Sequence, residues 1–296
     1  MPIEWFTARF LQFTIKPMKI WALTDKRVGN NKQALALATA LGEFEEIHVE
    51  YSPLASLPNC LLGTSAIGIK INFSGEPDLV ISAGRKLSRV ARYLKKQYGC
   101  KIIQIMWPGF GAKDFDYIIV PEHDQIPDAA NIIKITGSIS PLRPAGGAVK
   151  DKATVLIGDM TEREAKKLCA ILNQNPFEYQ ITTSRRTNPK AIAVLEKNFE
   201  IYKFGSGRAN PYEAYLATAE VIVVTGDSTN MITEAAHTGK PVYIFETETK
   251  PKFKKFWQRL YSLGCARKLT NRLEAFDANA LDNIGIIKNK LVEITQ

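Results

Sequence analysis

Apolar runs of four or five residues recur along the chain, each followed by a loop rich in Gly, Ser, Thr or Asp and then by a stretch with helical spacing. In the first half the runs are 20–23, 47–51, 79–82, 102–106 and 117–120, with helical stretches at about 32–41 and 86–98. Short apolar runs alternating with helices predict βαβ units, in which a parallel sheet is covered on both faces. The second half repeats the alternation with strand-like runs at 154–157, 179–183, 200–204, 221–224 and 242–245. Its helix starts are legible: Thr161 with Glu164 fits a capping box, and Asn188-Pro189 and Asn210-Pro211 with Glu213 place a cap before an early proline.

Between 121 and 150 the pattern breaks. Pro121, Pro127, Pro141, Pro144 and the Gly146-Gly147 pair interrupt it, and the one strand-like run there is 132–135. That composition predicts an interdomain crossing from 121 and a boundary near Lys150. The expected division is a first Rossmann-like domain at 18–150, a second at 151–296, and an N-terminal extension at 1–17. The length of 296 residues agrees, because one core seldom keeps growing at that size.

A formal charge of +9 selects anionic partners: phosphates, acidic lipid headgroups or nucleic acid. Nucleic acid is set aside, since there is neither a basic stripe interleaved with aromatics nor a recognisable module. Lys250, Lys252, Lys254 and Lys255 read as a solvated helix face. Cys60, Cys100, Cys169 and Cys265 are scattered and far from any histidine, which predicts reduced, buried thiols, a cytoplasmic location and no metal site. No run approaches the roughly 18 apolar residues of a membrane span. Trp5, Phe6, Phe10, Leu11, Phe13 and Ile15, set among Arg9 and Lys16, suit a short interfacial helix, so docking on the inner face of an acidic membrane stays open. An upstream start, with Met18 opening the first strand, is the alternative.

The richest segment is 221–245, VIVVTGDSTNMITEAAHTGKPVYIF. A buried strand ends at Thr225, Gly226 allows a tight turn, and Asp227, Ser228 or Thr229 is placed to cap the next helix. Free N–H groups at such a helix start, with its dipole, attract phosphate at the carboxyl end of an open sheet. Glu234 lies about one and a half turns inside that helix, beside the small Ala235, Ala236 and Gly239. A carboxylate so close to a packed face needs a partner, either a neighbouring cation or the paired hydroxyls of a ribose.

This segment resembles the nucleotide-binding part of GT-B proteins such as the lipid-linked N-acetylglucosaminyltransferase and the UDP-N-acetylglucosamine 2-epimerase. Together with DKRVGNNKQALALATALG at 25–42, SAGRK at 82–86, VPEHD at 120–124, TTSRRT at 182–187 and NPYEAYLATAEVIVVTGDS at 210–228, it resembles the ELM1 family over most of the chain after Met18. That family is described as mitochondrial fission proteins in plants and as uncharacterised nucleoside-diphosphate-sugar enzymes in bacteria. The resemblance implies an α/β, GT-B-like fold of two doubly wound parallel-sheet domains facing a central cleft. It implies diphosphate contacts for Ser228 and Thr229 and a ribose contact for Glu234.

Thr183, Ser184, Arg185 and Arg186 follow the second strand of the same domain and so face the same crevice, where an arginine fork can clamp a phosphate. On the acceptor side stand Arg27 and Gly29 after the first strand, and Gly84 and Arg85 after a later one. Asp25 is the carboxylate placed there to act as base. The family carries a Gly-His pair in this loop, whereas Gly29-Asn30 stands here and supplies no imidazole. His123, between Glu122 and Asp124, is the other acid or base candidate, with an ordering role in the crossing as its alternative. His48 and His237 read as structural, and Asp114-Phe-Asp116 is set aside as a metal motif because it belongs to another fold. The expected activity is transfer of sugar from a nucleoside diphosphate to an acceptor without a required cofactor, since helix amides and arginines suit the departing diphosphate. A non-catalytic adaptor on the same scaffold, or an epimerase, is the alternative.

Overall fold

The computed structural model describes residues 18–53, 62–141, 146–248 and 251–295. The expectations for residues 1–17, Cys60 and Lys250 lie outside them. Two sheets are present. The first contains β1 (Ile20–Thr24), β2 (Phe44–Tyr51), β3 (Ile69–Ile71), β4 (Leu79–Ala83), β5 (Lys101–Ile105), β6 (Tyr117–Pro121) and β7 (Ile132–Ile135), in the order β3-β2-β1-β4-β5-β6-β7. All pairings are parallel except that of β3 with β2. The second contains β8 (Lys152–Ile157), β9 (Glu178–Thr183), β10 (Ile201–Tyr202), β11 (Val221–Thr225), β12 (Val242–Phe245) and β13 (Arg267–Lys268), all parallel, in the order β10-β9-β8-β11-β12-β13.

Every residue of β1, β4, β11 and β12 is buried, as a sheet covered on both faces requires. On the first sheet, α1 (Val28–Leu41) supplies Ala34, Leu37 and Ala38 to one face, while α2 (Arg85–Tyr98) supplies Leu87, Val90, Ala91 and Leu94 to the other. The spacing of that second set keeps one stripe against the strands. On the second sheet, α3 (Glu162–Leu172) and α4 (Pro189–Glu196) cover one face. The other face is covered by α5 (Tyr212–Thr218), α6 (Thr229–His237) and α7 (Pro251–Ser262). Full burial of one such Leu or Val is worth about 1.5–3 kcal/mol, so these four apolar clusters outweigh any single polar contact in holding the layers.

Three boundaries differ from the sequence pattern. The run 200–204 shortens to β10, because the chain turns away on Gly205 and Gly207, both at positive φ, and leaves Phe204 half exposed. The run 132–135 is a full member of the first sheet, so the crossing opens at Thr136 rather than at 121. Residues 151–296 are not confined to the second sheet either. The last helix, α8 (Asn283–Thr295), returns to the first domain and buries Ile287 and Leu291 in the cluster built on β1, β4 and α1. No helix among the described residues is long and apolar enough to cross a membrane.

Candidate functional site

In each sheet the strand order reverses once, between β1 and β4 in the first and between β8 and β11 in the second. Open α/β sheets place ligands in the crevice at the carboxyl ends of strands flanking such a reversal. Three loop-to-helix turns there hold residues singled out above: 25–27 after β1, Gly84 after β4, and 226–228 after β11.

In the first turn Asp25 is 5% exposed, and its Oδ1 accepts the Arg27 backbone N–H at 2.8 Å. Asn31 closes the loop from inside α1, accepting from Asp25 N at 3.0 Å and donating to Asp25 O at 2.6 Å. Lys26, Arg27, Val28 and Gly29 are left exposed. Gly84 sits at φ +84, and a Cβ there would lie 2.4 Å from Asn30 Nδ2, so only glycine lets the β4–α2 turn lie against α1.

In the third turn Gly226 is equally constrained. A Cβ would lie 2.4 Å from Cζ2 of Trp257, whose indole N–H donates to Gly226 O at 3.0 Å. The expected capping by Asp227, Ser228 or Thr229 does not occur: α6 has no side-chain cap. Asp227 points the other way, and its Oδ2 accepts from Asp159 N at 2.8 Å and from Arg186 Nη2 at 3.1 Å. The Thr225 hydroxyl donates to Oδ1 at 2.7 Å. Burial raises the Asp227 carboxyl, against the pull of these donors.

The absence of a cap is selective. Helix α3 carries the full capping box, α4 is capped by Asn188, Asn210 accepts from the first N–H of α5, and Asp282 accepts from Gly285 N in α8. Helices α1, α2 and α6 have neither a side-chain cap nor an acidic residue in the first turn. The start of α1 adjoins the other two. Asn30 of α1 packs on Gly84 before α2, and a Cβ on Gly29 would lie 4.0 Å from Asn230 Nδ2 at the start of α6. Each uncapped start carries the equivalent of about half a positive charge, and Arg27 and Arg85 add whole ones.

The TTSRRT turn closes on itself. Thr187 Oγ1 accepts from Ser184 N at 2.9 Å and donates to Ile157 O at 3.1 Å, and Ser184 Oγ accepts from Arg186 N at 3.2 Å. Arg186 is committed to Asp227, while the Arg185 side chain is exposed. Among the described residues Glu234, farther along α6, is paired with neither lysine nor arginine. Its Oε2 accepts from Tyr212 Oη at 2.5 Å. Burial raises its carboxyl, the Tyr212 hydrogen bond and then the charge of Lys32 on α1 lower it, and the charge of Glu213 adds to the rise.

Candidate residues elsewhere carry structural duties. His123 lies two strands beyond the reversal and packs its ring on Phe256 of α7, centroids 5.2 Å apart, in a clasp flanked by Glu122–Arg259 at 3.1 Å and Asp124–Lys252 at 3.3 Å. Burial lowers its pKa. Its ring ties the β6–β7 connection to α7, away from the three bare helix starts. Asp114 and Asp116 pair with Arg92 at 2.7 Å and Lys95 at 2.8 Å, binding α2 to the segment that leads into β6.

The sequence profile described as mitochondrial fission ELM1 matches residues 28–293. The chain belongs to the ELM1 family. Its similarity extends to an uncharacterised Rickettsia prowazekii protein, RP120, at 31% identity over 77% of this chain and 83% of that one. It is also 26% identical to the Arabidopsis thaliana mitochondrial fission protein ELM1 over 66% of this chain, which spans 57% of the plant protein. Among solved structures, a Listeria monocytogenes protein named as a candidate UDP-N-acetylglucosamine 2-epimerase superposes with a TM-score of 0.52 at 14% identity, covering 94% of this chain and 88% of its own. The chain thus has a GT-B-like fold of two doubly wound domains.

Two side chains in this site escaped the sequence reading. Lys32 is one helical turn beyond Gly29, a spacing that puts it on the same face of α1. Tyr212 stood in plain view in the NPYEAY run, but only the tertiary contact gives it a carboxylate partner.

Proposed function

We propose that this ELM1-family chain binds a nucleoside-diphosphate sugar between its domains and transfers the sugar to an acceptor. The observation that carries the reading is the meeting of three bare helix starts, α1, α2 and α6, whereas α3, α4 and α8 carry side-chain caps. Uncapped N–H groups with no acidic residue in the first turn are matched to a multiply charged anion. In this reading the diphosphate lies at the start of α6, on the backbone N–H groups of Thr229 and Asn230 and the hydroxyls of Ser228 and Thr229, with Arg185 reaching it from the β9 turn. Glu234 is about 7.5 Å farther along the helix axis, a separation suited to the ribose of the same nucleotide.

The acceptor would lie against Arg27, Gly29, Gly84 and Arg85. An acceptor hydroxyl attacks the anomeric carbon, the bond from that carbon to the diphosphate oxygen breaks, and the departing charge falls on the helix amides and arginines. Asp25 is the carboxylate nearest the acceptor turns and would take the hydroxyl proton. Calorimetric titration with UDP, GDP, CDP and their sugars tests the reading. Binding of at least one, weakened by Arg185→Ala at unchanged melting temperature, is expected; no heat from any of them at millimolar concentration would refute it.

A second reading, binding without turnover by an adaptor, is favoured by one observation. Asp25 spends an oxygen on its own loop and His123 is packed against Phe256, so neither base candidate is free of structural duty. A chain that binds a nucleotide sugar yet yields no free nucleoside diphosphate or glycosylated product by NMR would support it.

A further inference from the structure

Tyr212 opens α5, and its backbone N–H donates to Asn210 Oδ1 at 3.1 Å. The far end of α5 is held by Lys240, whose ammonium donates to Leu216 O at 2.8 Å and to Ala217 O at 2.5 Å. With both ends tied, the phenol is fixed against α6, where Oη meets Glu234 Oε2. Burial, and then the adjoining carboxylate, push the Tyr212 hydroxyl well above its ordinary pKa. It therefore remains a donor throughout the pH range of a folded protein.

Glu234 needs that donor. A carboxylate offers about four lone-pair sites, and among the described residues this one receives a single hydrogen bond and no ion pair. Lys32 is near enough to bias it toward the charged form without forming a salt bridge. Tyr212 thus occupies one oxygen and tethers the carboxylate at that end. The second oxygen is left for a neutral donor from a ligand, and vicinal hydroxyls are such donors.

We propose that Tyr212 is a positioning residue, holding Glu234 in the orientation that accepts ribose hydroxyls and so making the site select ribonucleotides over analogues that lack them. The proposal rests on the nucleotide reading above. Titration of the full chain with UDP, GDP, CDP and ADP, with the 2′,3′-dideoxy counterpart of each, and with inorganic pyrophosphate separates the two. Wild type is expected to bind at least one ribonucleoside diphosphate about tenfold more tightly than its dideoxy counterpart, the worth of one charge-assisted hydrogen bond. In Tyr212→Phe, and in Glu234→Ala, that ratio should fall toward one while pyrophosphate affinity is unchanged, a split that general loosening of the fold would not produce. Should Tyr212→Phe not fold, Tyr212→Met carries the same readout. A ribose preference retained in the Tyr212 variants overturns the proposal. Pyrophosphate binding in wild type without any ribose preference overturns it as well, but leaves the anion site standing. Binding of neither nucleotide nor pyrophosphate by wild type would remove the nucleotide reading and this inference together.

Discussion

Glu234 is a residue whose environment costs stability. Burial raises its carboxyl above the unfolded value near 4.5, so the folded state favours the protonated form. The sign follows from linkage: this group lowers stability as pH rises from that unfolded value through the higher folded value, and the full cost is present above it. Glu234→Gln keeps an acceptor for Tyr212 and removes the buried charge. It should therefore stabilise the protein at pH 7, by an amount on the order of 1 kcal/mol, with the gain shrinking to nothing near pH 4. Urea unfolding at the two pH values checks this; a variant equally destabilised at both would mean that the carboxylate is satisfied as it stands. Residue identities at this site were legible as chemistry but not as partnerships. Asp227 reads as a cap or a phosphate neighbour in sequence. In three dimensions the space above Gly158, the Asp159 amide and Arg186 draw its carboxylate away from the helix it precedes.

At the scale of the element, that displacement leaves α6 bare, and a bare helix start is open to improvement. Ser228 has the extended backbone of an N-cap, φ −119 and ψ 99, without a capping hydrogen bond. Ser228→Asp would supply both a cap and a charge complementary to the dipole, together worth about 1–2 kcal/mol. The same carboxylate would occupy the place proposed for the diphosphate. The expected result is a higher melting temperature together with loss of nucleotide binding, measured on the same sample; a variant that is stabilised and still binds would place the anion elsewhere. Most elements were readable because their signals are local: the apolar runs of β1, β4, β5 and β11, and the capping box of α3. Others were not. The three-residue β3 and the two-residue β13 are edge strands too short for a period to register. Helix α8 was missed because its apolar positions answer to a sheet more than a hundred residues earlier in the chain, and no local pattern encodes that choice of layer.

At the scale of the whole molecule, two sets of polar contacts where the domains meet differ in strength. Asn283, fully buried at the start of α8, donates to Thr136 O at 2.7 Å and to Ser138 O at 2.9 Å, and its Oδ1 accepts from Thr136 N at 3.3 Å. The clasp pairs Glu122–Arg259 and Asp124–Lys252 are roughly one-third to one-half exposed, and such pairs contribute about 0–1 kcal/mol each. The first contact behaves as a fixed pivot and the second as a fastening that salt can loosen. Replacing Asn283 with Ala strands three buried backbone groups, each costing about 1–3 kcal/mol. It should lower the urea midpoint sharply, whereas the double variant Glu122→Gln, Asp124→Asn should leave that midpoint nearly unchanged. The double variant should instead expand the molecule in small-angle scattering at low salt, to the dimensions wild type reaches at high salt. A radius insensitive to both salt and the double variant would mean that His123 packed on Phe256, rather than the charges around it, keeps the cleft at its present width.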